Sequence, residues 1–224
     1  MSETGAACTE ETIVNPLTAY ARSKAAAERD LAELAEGDFR VTCLRFGTAC
    51  GMSDRLRLDL VLNDFIASAI ATNRITVLSD GTPWRPLIHV NDMARAIDWA
   101  IGRGEGQDFH VVNVGRADWN FTIRELAEAV AARIHGTSID IGRPAAPDKR
   151  SYQVNFDLFK RIAPNHQPIM DLDSTIQGLV EGLRSIGFSD ANFRQSRYMR
   201  LNALGELRSE GLLTDELFWQ VQET

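Results

Sequence analysis

Tyr20 and Lys24 stand four residues apart in the run Asn15-Pro16-Leu17-Thr18-Ala19-Tyr20-Ala21-Arg22-Ser23-Lys24-Ala25-Ala26-Ala27-Glu28, which otherwise reads as an alanine-rich helix. Spacing i, i+4 puts both side chains on one helical face, with Cβ atoms roughly 5–6 Å apart. A phenol with a reference pKa of about 10 is a poor base at neutral pH, and a fixed cation beside it favours the phenolate. Such a phenol can pass a proton to or from a substrate hydroxyl. Tyr and Lys at helical spacing also occur by chance on many surface helices, so the pair needs its surroundings to carry weight.

Those surroundings read as alternating helices and strands. Leu17 to Glu36 is a helix stopped by Gly37, and Phe39 to Phe46 is a strand that gives Val41, Cys43 and Leu44 to the core. Leu58 to Asn73 carries Leu58, Val61, Leu62, Phe65, Ile66 and Ile70 at helical spacing and predicts a core helix. Short strands follow at Ile75 to Leu78 and Trp84 to Val90, then a helix from Asp92 to Ile101, and a buried strand at Phe109 to Val114. Thr122-Ile123-Arg124-Glu125 is a capping box that opens a helix to Arg133. A strand near Ile139, a Pro-rich charged loop from Arg143 to Arg150, and helices at Phe156 to Ile162 and Asp173 to Ile186 complete the pattern. From Asn192 to Trp219, Tyr198, Leu201, Leu204, Leu207, Leu212, Leu213, Leu217 and Phe218 predict helices whose apolar side covers the domain's own sheet or, failing that, a second subunit.

Five segments, in order, resemble the extended short-chain dehydrogenase/reductases, the NAD-dependent nucleotide-sugar epimerases and dehydratases. They are Pro16 to Lys24, Phe39 to Gly51, Arg85-Pro86-Leu87-Ile88-His89-Val90-Asn91-Asp92, Phe109 to Gly115, and Pro147-Asp148-Lys149-Arg150. The resemblance spans roughly residues 12 to 190. It implies an α/β chain: a truncated Rossmann-type parallel sheet with a small α/β substrate-binding region and a helical C-terminal tail. On that basis residues 1–52 are the remnant of a dinucleotide-binding domain with its active-site helix, 53–190 hold the remaining sheet elements and the substrate region, and 191–224 are the tail.

The resemblance also implies roles. Tyr20 is the acid/base, Lys24 assists it and holds the nicotinamide ribose, and Phe46 and Gly47 join Lys24 at the cofactor, NAD or NADP. Arg85 and Arg150 clamp the diphosphate of a nucleotide sugar, as guanidinium forks match phosphate oxygens and stay charged. Asn63 resembles an asparagine that touches substrate phosphate. His89 and Asp92 are expected to be structural, Asp92 as a helix cap; Arg45 is expected to find a structural partner, and Asn113 and Gly115 to shape a turn. Family members open with a strand and a G-x-x-G-x-x-G turn that seats the pyrophosphate at a helix N-terminus, and this sequence contains no such turn. Tight NAD(H) binding by the chain alone is therefore not expected. The alternative is a non-catalytic nucleotide-binding or association fragment that pairs with a full-length relative, a second copy or a separately encoded N-terminal half.

Composition sets outer bounds. With 44% hydrophobic and 25% charged residues over 224 positions the chain reads as an ordinary globular protein. A net charge of −7 disfavours nucleic acid and anionic membrane as partners, and no apolar run reaches the length of a membrane span, so the expected place is the cytoplasm. Cys8, Cys43 and Cys50 form no C-x-x-C pair and read as buried thiols. His89, His110, His135 and His166 lack metal-binding spacing, so no metal is expected, and no G-x-S-x-G elbow is present.

Overall fold

A computed structural model describes residues 7–37, 39–104, 108–142 and 151–220. The first element, α1 (Ala19–Leu34), starts where the Thr18 hydroxyl accepts from the Ala21 N–H at 3.1 Å. It is followed by β1 (Val41–Phe46) and β2 (Thr48–Cys50), then α2 (Val61–Thr72), which ends on Asn73 in the left-handed region. β3 (Arg74–Val77), β4 (Trp84–His89), α3 (Val90–Gly102) and β5 (Phe109–Val114) come next. β6 (Asn120–Thr122) leads into α4 (Ile123–Arg133), whose capping box forms in full: Thr122 accepts from the Glu125 N–H and the Glu125 carboxylate accepts from the Thr122 N–H. The remaining elements are β7 (Ser138–Ile141), α5 (Asp157–Ile162), α6 (Leu172–Ser185) and α7 (Arg200–Ser209).

The strands form three small sheets, mostly parallel. β1 pairs with β5 from Val41↔Phe109 to Phe46↔Val114, β3 pairs with β7, and β2 runs parallel to β4, with β6 antiparallel on the far side of β4. Gly47 is the junction at which the chain leaves β5 and takes up β4 as its neighbour. A Cβ there would lie 3.0 Å from the Pro86 carbonyl oxygen and 3.1 Å from the Leu87 carbonyl carbon, which are backbone atoms that cannot step aside. The close approach favours glycine.

Two cores result. The larger joins Leu62, Phe65 and Ile66 of α2 to Leu126 and Val130 of α4 and to Ile176, Leu179 and Leu183 of α6. The smaller, between β5, α3 and α5, holds Val112, Val114, Ala96 and Phe159, with Trp99 edge-on to Phe159 at 5.6 Å between ring centroids. No residue of α1 is buried.

Several expectations change in three dimensions. α3 begins earlier than Asp92 because His89 is its cap, its Nδ1 accepting from the Asn91 N–H at 3.1 Å. Asp92 is 1% exposed and is no cap: its carboxylate accepts from the N–H groups of Ile169 and Met170, at 3.0 and 3.2 Å, and so ties α3 to the segment that leads into α6. Among its described residues the tail contains one helix, α7, and one 3₁₀ turn at Phe193–Gln195, and these pack toward α2: Phe193 enters the larger core and Arg194 grips Asp64 at 2.7–2.8 Å. Of the cysteines only Cys50 is buried, its thiol pushed up to about 12 by desolvation; Cys8 and Cys43 are half-buried. All three are free thiols.

Candidate active site

A cleft of about 830 Å³ runs between α1, the C-terminal ends of β1 and β5, the start of β4 and the opening segment 8–18. Tyr20 and Lys24 project into it from one face of α1, with the Lys24 ammonium 5.8 Å from the centroid of the Tyr20 ring. Tyr20 is 72% exposed, so a substrate can reach the phenol. Across the cleft lie Phe46 and Gly47, at the β1–β2 junction, and Arg85 on β4. Residues as far apart in sequence as Cys8 and Val154 thus share one space.

The segment before α1 is stitched down by polar contacts. The backbone of Cys8 pairs with Gln153 and Asn155, each contact 2.8 Å long, and the Glu10 carboxylate accepts the Asn113 N–H at 2.8 Å. Arg45 of β1 donates through Nε to Glu28 of α1 at 2.9 Å, donates a second bond to the same carboxylate through Nη2, and reaches the Glu10 carbonyl at 3.3 Å through Nη1. The structural partner expected for Arg45 is therefore Glu28, which no sequence motif singled out. Its only signal is its place one further turn along the face of Tyr20 and Lys24.

Arg85 and Tyr152 meet at the far end. The Arg85 guanidinium donates to the Trp84 carbonyl at 2.7 Å, and its charge partly offsets the burial that pushes the Tyr152 phenol up. Tyr152, like Glu28, was not among the sequence candidates, although it lies in the stretch that follows Arg150. Arg150 itself lies outside the described residues. Asn63 is placed elsewhere. It is 2% exposed and does not line the cleft: its Oδ1 accepts the Gly51 N–H at 3.2 Å and its Nδ2 donates to the Arg57 carbonyl at 3.0 Å. Both ends of the amide thus help to hold the loop between β2 and α2. Asn113 does not shape a turn, because it is buried inside β5; just beyond that strand, a Cβ on Gly115 would stand 2.6 Å from the Phe156 ring.

Among the described residues no group of three His, Cys, Asp or Glu side chains could hold a metal ion, and no helix is long and apolar enough to cross a membrane. The site is one of an exposed phenol, an ammionium-bearing helix face and a guanidinium, suited to proton transfer beside an anionic ligand.

The NAD dependent epimerase/dehydratase family matches residues 2–115, half of the chain. The chain belongs to that family. Its fold is shared with solved structures at low identity. MoeE5 in complex with UDP-glucose and NAD superposes with a TM-score of 0.68 at 24% identity, over 80% of this chain and 60% of its own. The dTDP-glucose 4,6-dehydratase of Bacillus anthracis, in complex with NAD, gives 0.67 at 22%, over 80% and 56%, and RMD from Pseudomonas aeruginosa, complexed with NADPH, gives 0.69 at 22%, over 83% and 63%. The chain therefore spans about 60% of the length of these relatives. At such identities the likeness establishes the fold, a Rossmann-like α/β architecture, and the chemistry has to be argued from the cleft.

Proposed function

We propose that this chain is the substrate-binding and proton-transfer portion of an NAD(P)-dependent epimerase/dehydratase acting on a nucleotide-activated sugar. The observation that carries the reading is that Tyr20, Lys24, Phe46, Gly47 and Arg85 line one cleft. Tyr20 exchanges a proton with a sugar hydroxyl through its exposed phenol. Lys24 stands over the ring, its ammonium 5.8 Å from the centroid, on the same side of the helix as the phenol. Arg85, with Arg150 as its intended companion, anchors the nucleotide diphosphate at the other end.

The residues present fit the nicotinamide end of the cofactor: the lysine and the Phe46–Gly47 backbone face the same space as the phenol, and Gly47 keeps that wall thin. Lys24, Phe46 and Gly47 would hold it, and when bound the nicotinamide accepts and returns the hydride. The chain's own part is to seat the sugar, orient its hydroxyl and move the proton. On this reading the protein works in the cytoplasm.

A ligand test needs no cofactor. UDP and UDP-glucose are expected to raise the melting temperature, because a ligand that binds only the folded state stabilises it by mass action. Arg85→Ala should weaken that protection by roughly 1.5–3 kcal/mol, the range for hydrogen bonds to charged groups, and Tyr20→Phe should leave it unchanged. If no nucleotide moves the melting point, the substrate assignment falls.

A second reading, subunit association, is favoured by the side of the molecule that carries α1. None of that helix is buried, β1 is paired only on its β5 side among the described residues, and Ile13, Val14, Leu34 and Phe39 are exposed. A parallel strand edge and adjoining apolar surface are an association site. Dimers, or complexes with a subunit supplying the dinucleotide-binding half, are expected on this reading; a monomer by light scattering at tens of micromolar would remove the homodimer.

A further inference from the structure

α1 carries the chemistry of the cleft, yet none of its residues is fully buried, Ala21, Ala25, Ala26 and Leu31 being half-buried at most. All sixteen of its residues keep solvent contact, and a second hollow of about 580 Å³, bounded by Ala25, Ala26, Arg29, Ala32 and Phe109, runs along its adjoining face. Its tightest described link to the rest of the molecule is Glu28, which receives two hydrogen bonds from the Arg45 guanidinium. Tyr20, Lys24 and Glu28 fall at i, i+4 and i+8, on one side of the helix, so a contact at Glu28 controls the orientation of the other two. Arg45 is the residue immediately before Phe46, and its third nitrogen, Nη1, donates to the carbonyl of Glu10, whose carboxylate holds Asn113 on β5.

We infer that Glu28 and Arg45 are positioning residues: a polar clamp that fixes the height and rotation of the Tyr20–Lys24 face over Phe46 and Gly47. The inference rests on the proposed role of Tyr20 for its functional meaning, but its geometry can be tested separately. The pair suits this task for physical reasons. A two-pronged guanidinium–carboxylate contact fixes direction as well as distance, which a single apolar contact does not. Both side chains are about one quarter exposed, 27% for Arg45 and 25% for Glu28, so the bond is shielded enough to persist and its loss leaves a partly desolvated charge.

The experiment uses the full chain with tyrosine labelled with ¹³C at Cζ. The sequence has three tyrosines, Tyr20, Tyr152 and Tyr198, and Tyr20→Phe assigns the first. In Glu28→Gln, which keeps shape but removes the charge, and in Arg45→Ala, the Tyr20 resonance should move while that of Tyr198, remote from the clamp, stays. Amide exchange in α1 should accelerate roughly tenfold with α2, α4 and α6 unchanged, as expected when one element loosens and the global fold does not. Arg45→Lys keeps the charge but not the fork and should restore only part of the parent signal. A lowered melting temperature with an unmoved Tyr20 resonance and parent-like α1 exchange would overturn the clamp and leave the pair as a contributor to stability alone. If Arg45→Ala does not fold, Glu28→Gln decides by the same readouts. Failure of the nucleotide test with a positive result here would sink the substrate assignment and leave the clamp standing.

Discussion

α1 and α2 are helices of similar length in one chain, and they are held in opposite ways. α2 buries seven residues, including Leu62, Phe65 and Ile66, between α4 and α6, and even its polar Asn63 and Ser68 are enclosed. α1 buries none fully; beside the half-buried Ala21, Ala25 and Leu31, it is held by the Thr18 cap and the Glu28–Arg45 pair. Apolar burial supplies most of the folding free energy, so the α2 side is the stable body of the molecule. The reactive residues sit on the other side, where they remain accessible and where a few polar contacts decide their geometry. Stability and the placement of the candidate chemistry are thus carried by different residues.

The comparison can be broken most directly with two truncations. Leu62→Ala removes a fully buried side chain between helices and should cost about 2–5 kcal/mol in chemical denaturation. Leu34→Ala, at the exposed end of α1, should stay within about 0.5 kcal/mol. Comparable costs at the two sites would mean that α1 is packed against something the described residues do not include.

Thr18→Ala sharpens the contrast at an intermediate scale. Losing an N-cap costs a helix about 1 kcal/mol, and here the loss should appear as faster amide exchange within α1 and a small change in the global midpoint. A cooperative drop of the whole protein by that full amount would show that the two sides unfold as one.

The smallest effect concerns pH. Burial holds His89 below its ordinary value, with the nearby Asp92 acting weakly in the other direction, and its neutral Nδ1 accepts the Asn91 N–H. A histidine whose pKa is lower folded than unfolded binds fewer protons in the native state. Its contribution is therefore complete above the unfolded pKa, about 6.5, and is lost as pH falls through that value toward the folded pKa. Denaturation between about pH 7 and about pH 5 should show stability declining in the parent and declining less in His89→Asn, which keeps a capping oxygen without the titration. His110 is depressed too, by burial and then by Arg103, so part of the slope should survive in the variant. A parent stabilised on acidification would contradict the assignment.

Much of the molecule was legible before any coordinates. The i, i+4 spacing of Tyr20 and Lys24, the Thr122–Glu125 box, the apolar repeat of α2 and the run of β5 are local patterns, and the backbone geometry of a helix or strand converts each one directly into a shared face, a cap or a buried stripe. What depended on the tertiary structure was every pairing across distance. Asp92 looks like a cap at the start of a helix, and only the return of the chain at Ile169 and Met170 gives its carboxylate another task. Asn63 carries the right atoms for a phosphate, and only the tertiary structure buries it and pairs it with the loop at Gly51 and Arg57. The tail's leucines predict helices, yet Leu217, Phe218 and Trp219 lie beyond α7 and remain exposed, because periodicity specifies a face without specifying what covers it. Glu28 and Arg45 are seventeen residues apart and have no shared motif. Local spacing determined which side chains could act together; the crossing of α1 over β1 decided which of them are held in place, since a charged pair exists only where folding brings its two ends within a hydrogen bond.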